Sequence, residues 1–406
     1  MSQVVAMTRR GLATRSTRPI VLLGLVLAVF SLVRVLTGAQ ELTSAGTLEA
    51  AIALSIPLGM AGLGGLWSER AGVVNIGLEG MMIMGTWGAG WAGSIWGPWQ
   101  GLAVGVAFGA VGGLIHSIAT VTFGVDHIVS GVAINLLGLG ITQFLAVQVL
   151  HNPTQSGEIP SMGTFTVPLL PGWMQSLGER HWFLVSDLAN VIFAIVDHPA
   201  YFTIMAVALL PVTYFVLWRT AFGLRLRSCG EAPYAAETLG VNVYKYKYLA
   251  VLASGALAGF GGAFLAIWSG FYHDGQTQGY GFIGLAAMIF GNWRPAGLAV
   301  GAGLFGYTNG LQLRSPPAVH ALLLVLVIAL AAYSAWLLYR RRWVPGVISG
   351  LSTALVLLWF LKTHELEQHI VSATPYVTTL LVLSLASQQL RPPAADGLVY
   401  RRGGGR

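Results

Sequence analysis

The sequence predicts an all-α fold, a polytopic transmembrane helix bundle of about twelve spans with both termini in the cytoplasm. Three observations carry this expectation. Of 406 residues, 55% are hydrophobic and only 9% charged, and the mean hydropathy is +0.70, which leaves too few polar side chains to coat a soluble globule of this size. Apolar runs of roughly 17–25 residues, the length that a bilayer requires, recur along the chain. Lys and Arg gather in the short stretches between those runs. The net charge of +7 therefore reads as topological charge that orients spans in a lipid bilayer, and no nucleic-acid partner is expected. The single cysteine, Cys229, excludes an intrachain disulfide and reads as a free thiol on a loop. Nine histidines without ligand spacing give no metal site.

Hydropathy and basic flanks set the order of elements. Residues 1–19 carry Arg9, Arg10, Arg15 and Arg18 and form a cytoplasmic lead-in to a retained first span at 20–36, since that run lacks a small-residue cleavage site. The transmembrane domain extends over 20–390, with further spans at 48–67, 74–91, 99–120 and 127–150. Residues 151–199 hold Pro153, Pro160, Pro168, Pro171, Trp173 and Trp182 but no span-length apolar run, so they form an outer loop. A sixth span at 201–218 returns the chain inside, where the basic loop 219–247 follows, as the positive-inside bias requires. Spans then fall at 248–271, 282–290, 296–311, 319–338, 344–361 and 376–390, with 391–406 as a cytoplasmic tail. This order places Arg294, the run Arg340 to Arg342 and the tail arginines inside. The run 282–290 is short for a bilayer and is expected as a short or broken helix.

Inside the basic loop, 230–240 has the marks of a short helix. Gly230 and Glu231 stand near its start, and Pro233 lies in a first turn that tolerates a missing N–H. Helix-forming Ala235 and Ala236 follow, then Leu239, with Gly240 as a stop. About two turns of helix are not stable alone in water, so the segment must rest on its own membrane domain or on a docked partner. Gly101, Gly105, Gly109 and Gly113 recur at intervals of four, as do Gly255, Gly259 and Ala263. Such stripes let helix backbones approach closely in lipid. Asn75, Glu79, Asn135 and Asn292 are the polar candidates for a translocation path, each set against plain interhelical hydrogen bonding. Glu79 is expected about two turns into its span. Two connections look alike, GGLWSERAG at 64–72 and FGNWRPAG at 290–297, as repeats of the same orientation would. Pro57, Pro211 and Pro295 mark helices open to kinking or interruption.

No Gly-Lys dipeptide occurs, the lysines being Lys245, Lys247 and Lys362, so a Walker A phosphate loop is impossible on this chain. Neither G-x-S-x-G nor H-E-x-x-H is present, and an enzymatic reading has no constellation to rest on.

Several stretches carry a family likeness: SERAGVVNIGLEGMM (68–82), VSGVAINLLGLG (129–140), GEAPYAAETLGVNV (230–243), GFIGLAAMIFGNWRPAG (281–297) and RPPAADGLVY (391–400). Together they resemble the inner-membrane permease subunits of ABC importers in the branched-chain-amino-acid and simple-sugar group, above all the nucleoside importer permeases. The resemblance implies a pore-forming subunit of a bacterial inner (plasma) membrane that holds no cofactor. ATP would be used by a cytoplasmic ABC ATPase subunit, a second related permease would complete a heterodimer, and an extracytoplasmic binding lipoprotein would deliver substrate. It also implies that 230–240 is the coupling helix seated in the ATPase, with Glu231, Pro233, Ala235, Ala236, Leu239 and Gly240 at matching positions. Against the family's pattern of about ten spans, residues 319–363 insert two more, and an even number preserves the side of the tail. Nucleosides are the expected solute, with simple sugars or branched-chain amino acids as the alternative. A secondary transporter is the competing mechanism, but the spans hold few carboxylates to carry protons, chiefly Glu49 and Glu79.

Overall fold

A computed structural model describes residues 21–152, 154–165, 171–197, 199–363, 365–386 and 390–403. The expected lead-in 1–19 lies outside the described residues, as do 166–170 of the outer loop and 387–389 at the end of the expected last span. Among the described residues the regular structure is helical, and two isolated β-bridges, Gln155 with His273 and Thr164 with Ala200, lie in the connections.

In chain order the helices are α1 (Val21–Thr37), α2 (Ala45–Arg70), α3 (Leu78–Trp96), α4 (Pro98–Ser117), α5 (His127–Val149), α6 (Pro171–Glu179), α7 (Val185–Val196) and α8 (Tyr201–Arg219). There follow α9 (Ala221–Glu231), α10 (Pro233–Thr238), α11 (Val243–Ser269), α12 (Tyr280–Phe290), α13 (Pro295–Arg314), α14 (Pro316–Tyr339), α15 (Trp343–Lys362) and α16 (Gln368–Ala386). Among the described residues, 7 helices are long and apolar enough to cross a membrane: α2, α4 with its continuation to Thr122, α5, α8, α11, α14 and α15. α1, α7 and α12 are shorter apolar helices. With 11 residues, α12 rises about 16 Å, half of a ~30 Å hydrocarbon core, so it is the short helix that its sequence suggests. Both α2 and α8 run unbroken through Pro57 and Pro211, whereas Pro295 opens α13 instead of interrupting a helix.

The chain divides into two compact units. One comprises Met1–Ala51, Val167–Asp197 and Thr308–Thr374; the other comprises Ile52–Thr166, His198–Tyr307 and Pro375–Arg406.

In the smaller unit, α14 and α15 pack on each other as a hairpin whose turn holds Arg341 at φ +58°. Ser334 donates to the Gly346 carbonyl across that hairpin at 2.8 Å. A buried ion pair, Arg34 Nε to Asp187 Oδ1 at 2.9 Å, ties α1 to α7. Asn190 Nδ2 adds a bond to the Thr43 carbonyl at 2.9 Å. The expected outer loop thus contains two helices, α6 and α7, that its proline-rich composition concealed.

The larger unit is built around α3, α4 and α11, with α5 and α12 against α3. The glycine stripes set its spacing. A Cβ on Gly109 would stand 2.3 Å from the Gly255 carbonyl, and one on Gly113 2.6 Å from that of Val251. α4 and α11 therefore touch backbone to backbone, as the intervals of four predict.

Candidate functional site

The expected helix at 230–240 is two elements. α9 runs through Gly230 and Glu231, the chain bends at Ala232 (φ −149°, ψ 79°), and α10 starts at Pro233. A proline ring pushes the residue before it out of the helical region, so the break follows from the sequence itself. α10 stops at Gly240, φ +79°. There the Gly240 N–H bonds the Glu237 carbonyl at 2.9 Å and the Val241 N–H bonds Ala236 at 3.0 Å, the paired closure that a left-handed glycine permits. Pro233 and Ala236 face inward, while Glu231, Ala235, Leu239 and Gly240 are exposed. Leu239 is 85% exposed, so α10 offers an outward strip of Tyr234, Ala235, Thr238 and Leu239. Cys229 is a free thiol, buried beneath α10 near the end of α9. Burial pushes its thiol up to about 11, which makes it unreactive.

Beneath α9 and α10, the two look-alike connections meet. Arg70 donates from Nε and Nη2 to the Trp293 carbonyl at 3.1 and 2.7 Å, and Trp293 Nε1 donates to Glu69 at 2.6 Å. Asn292 and Trp293 both stand at φ +54°, a turn that the surrounding bonds must hold. Gly230 presses on the first connection so closely that a Cβ would lie 2.4 Å from the Arg70 carbonyl. Arg70 Nη1 also reaches Glu231 at 3.8 Å, and buried Lys247 donates to the Gly72 carbonyl at 3.1 Å. The tail closes the group: the Ala395 carbonyl lies 3.1 Å from where a Cβ on Gly72 would stand, and burial raises Asp396 from 3.8 to about 6.

The four polar path candidates separate into two places. Asn75 donates to Ser254 at 2.8 Å and accepts from the Gly77 N–H at 3.0 Å. Asn135 accepts from the Gly80 N–H at 2.8 Å and donates to the Ile76 carbonyl at 3.0 Å. These bonds hold 73–77 unwound, so α3 starts at Leu78 rather than at 74. Glu79 therefore lies in the first turn of α3, not two turns in, and an acidic residue suits that end of the helix dipole. Its carboxylate accepts from Thr277 Oγ1 at 2.6 Å and from the Gly279 and Gly281 N–H groups at 2.9 and 2.7 Å. Asn292 stands apart from these three, accepting from the Arg391 N–H at 2.8 Å.

The profile of the permease component of branched-chain amino acid transport systems matches residues 47–332. The chain belongs to this permease family. It is 41% identical to the guanosine ABC transporter permease protein NupQ of Bacillus subtilis, over 66% of this chain and 81% of that protein. It is 35% identical to the nucleoside ABC transporter permease protein NupC of Lactococcus lactis, over 85% of this chain and 93% of that one. A putative glucose ABC transporter permease protein of Haloferax volcanii, TsgC13, is 34% identical over 88% and 98%. No solved structure matches the chain significantly.

Within this permease, sequence reasoning found α10 but missed its seat. Glu69, Arg70, Trp293, Asp396 and Tyr400 draw no notice as single residues. The likeness between 64–72 and 290–297 was the available signal, because each supplies one half of the Arg70–Trp293–Glu69 group. The tail motif was the other signal, since Pro393, Ala395 and Tyr400 are buried and Asp396 half-buried in a stretch otherwise exposed.

Proposed function

We propose that this permease is the pore-forming subunit of an ATP-driven importer for nucleosides, moving solute from an extracytoplasmic binding protein to the cytoplasm by alternating access. The observation that carries the reading is α10: a six-residue helix with an exposed strip, held by a rigid buried group, in a chain that shares 35–41% identity with guanosine and nucleoside permeases. In this reading α10 is the coupling helix, and Gly230, Pro233 and Ala236 seat it while Glu231, Ala235, Leu239 and Gly240 face the ATPase. ATP is bound and used by partner subunits. A second related permease completes a heterodimer, and a lipoprotein delivers the solute. The chain crosses a bacterial plasma membrane about twelve times with both ends inside, and Asn75, Glu79 and Asn135 frame the path at the start of α3.

Reconstitution tests this. Liposomes holding the permease, its ATPase and its sister permease are expected to hydrolyse ATP faster when a loaded nucleoside receptor is added, and to take up nucleoside only with ATP. Uptake by this chain alone without ATP would overturn the reading. The likeness to a putative glucose permease favours one alternative, a simple-sugar solute, and competition of labelled nucleoside uptake by glucose or leucine decides between them.

A further inference from the structure

Residues 391–400 run as a strap over the turns that seat α9 and α10. At its start, the Arg391 N–H bonds Asn292 in the α12–α13 turn at 2.8 Å. In its middle, the Ala394 N–H reaches the Glu231 carboxylate at 3.2 Å and the Ala395 N–H the Gly230 carbonyl at 2.8 Å, while the Ala395 carbonyl lies 3.1 Å from where a Cβ on Gly72 would stand in the α2–α3 turn. At its far end Tyr400, 6% exposed, packs with Cys229, Ala236 and Val243. Its ring lies 5.3 Å from that of Tyr234 and 5.4 Å from that of Tyr244.

The strap is therefore fastened on both sides of the break at Ala232. That break is the weak joint of the segment. Pro233 brings no N–H, and the Gly230 carbonyl, which an unbroken helix would offer to Tyr234, accepts from Ala395 instead. The inward face of α10 consists of Pro233 and Ala236, which bury little area. Tyr400 is the one large side chain of the buried group around Ala236, and aromatic burial dominates such a contact.

We propose that the tail strap 391–400 is the fixture that sets α10 against the membrane helices, with Tyr400 as its positioning residue in the coupling of ATP hydrolysis to transport. This rests on the reading of α10 as the ATPase-coupling helix. A displacement of α10 alone is absorbed by bending at Ala232. With the strap in place it is shared with the α2–α3 turn through Ala395 against Gly72 and with the α12–α13 turn through Asn292.

The test uses the full chain and four forms: wild type, Tyr400→Ala, Tyr400→Phe and, as a check on the underlying reading, Ala235→Arg. Amide exchange of the tail is measured on the chain alone in nanodiscs, and uptake per ATP hydrolysed on the complete importer in liposomes. Tyr400→Ala is expected to speed exchange at Ala394 and Ala395 by at least about tenfold. It should also lower uptake per ATP severalfold while the ATPase continues to turn over. Tyr400→Phe, which keeps the ring, is expected to restore both. Unchanged exchange in Tyr400→Ala overturns the proposal, as does faster exchange with wild-type uptake per ATP. Ala235→Arg separates the two levels. Normal uptake there overturns the docking role of α10 itself, whereas abolished uptake there with intact coupling in Tyr400→Ala overturns the role of the tail alone.

Discussion

On the Glu79 carboxylate three donors converge, one hydroxyl and two backbone N–H groups, so the charge is matched and ties α3 to the turn into α12. A glutamine accepts through one terminal atom only and turns an NH2 against the remaining donors. Glu79→Gln should therefore cost about 1–3 kcal/mol, the penalty of a buried unsatisfied donor. A lowered melting temperature in detergent is the expected result, and an unchanged one would show that the carboxylate does not hold the turn into α12. Asp396 gives a prediction in pH. Its carboxyl faces Glu69 and Arg70 at the end of α2 and Lys247 of α11, and burial raises it from 3.8 to about 6. A carboxyl raised on docking favours the docked tail fully below its free value and loses that contribution as pH rises through its docked value. Tail amides, corrected for intrinsic exchange, should be better protected near about pH 5 than near about pH 7, and Asp396→Asn should remove the difference.

Elements were the scale at which the sequence was most legible. Hydropathy placed α2, α4, α5, α8, α11, α14 and α15 within a few residues of their ends, because span length is fixed by the bilayer and not by neighbours. Besides the concealed α6 and α7, two helix ends were misjudged for a shared reason. The start of α3 and the split of α9 from α10 both depend on side-chain or proline chemistry at a helix end, Asn75 and Asn135 in one case and Pro233 in the other. The α4–α11 contact makes its own prediction. Gly109→Ala puts a methyl 2.3 Å from the Gly255 carbonyl and should cost about 1–3 kcal/mol as the helices part. In Gly140→Ala, where nothing lies within 4 Å, thermal unfolding should stay close to wild type.

For the whole molecule, the α14–α15 hairpin covers the stretch 319–363 that the sequence marks as an expected two-span insertion, and its two helices pack on each other. An even number of spans conserves sidedness. Excision of 316–363 is expected to leave a reporter fused to the C-terminus on the same side of the membrane as in the full chain, whereas a reversed reporter would show that the hairpin does not cross twice. The strap, the two look-alike turns and α10 come from four separate stretches of sequence, and only their convergence makes a seat.

The sequence by itself determined the helical, membrane-spanning class of the protein, the places of its long apolar helices, the packing face of α4 and the position of the short helix α10. All of these rest on local quantities: hydropathy, charge flanks, glycine spacing and turn chemistry. The tertiary structure decided what holds that segment. Arg70 meets Trp293 across 223 residues and Glu231 meets Ala394 across 163. No local preference encodes which distant group satisfies a buried donor, because that choice belongs to the packing of the whole bundle.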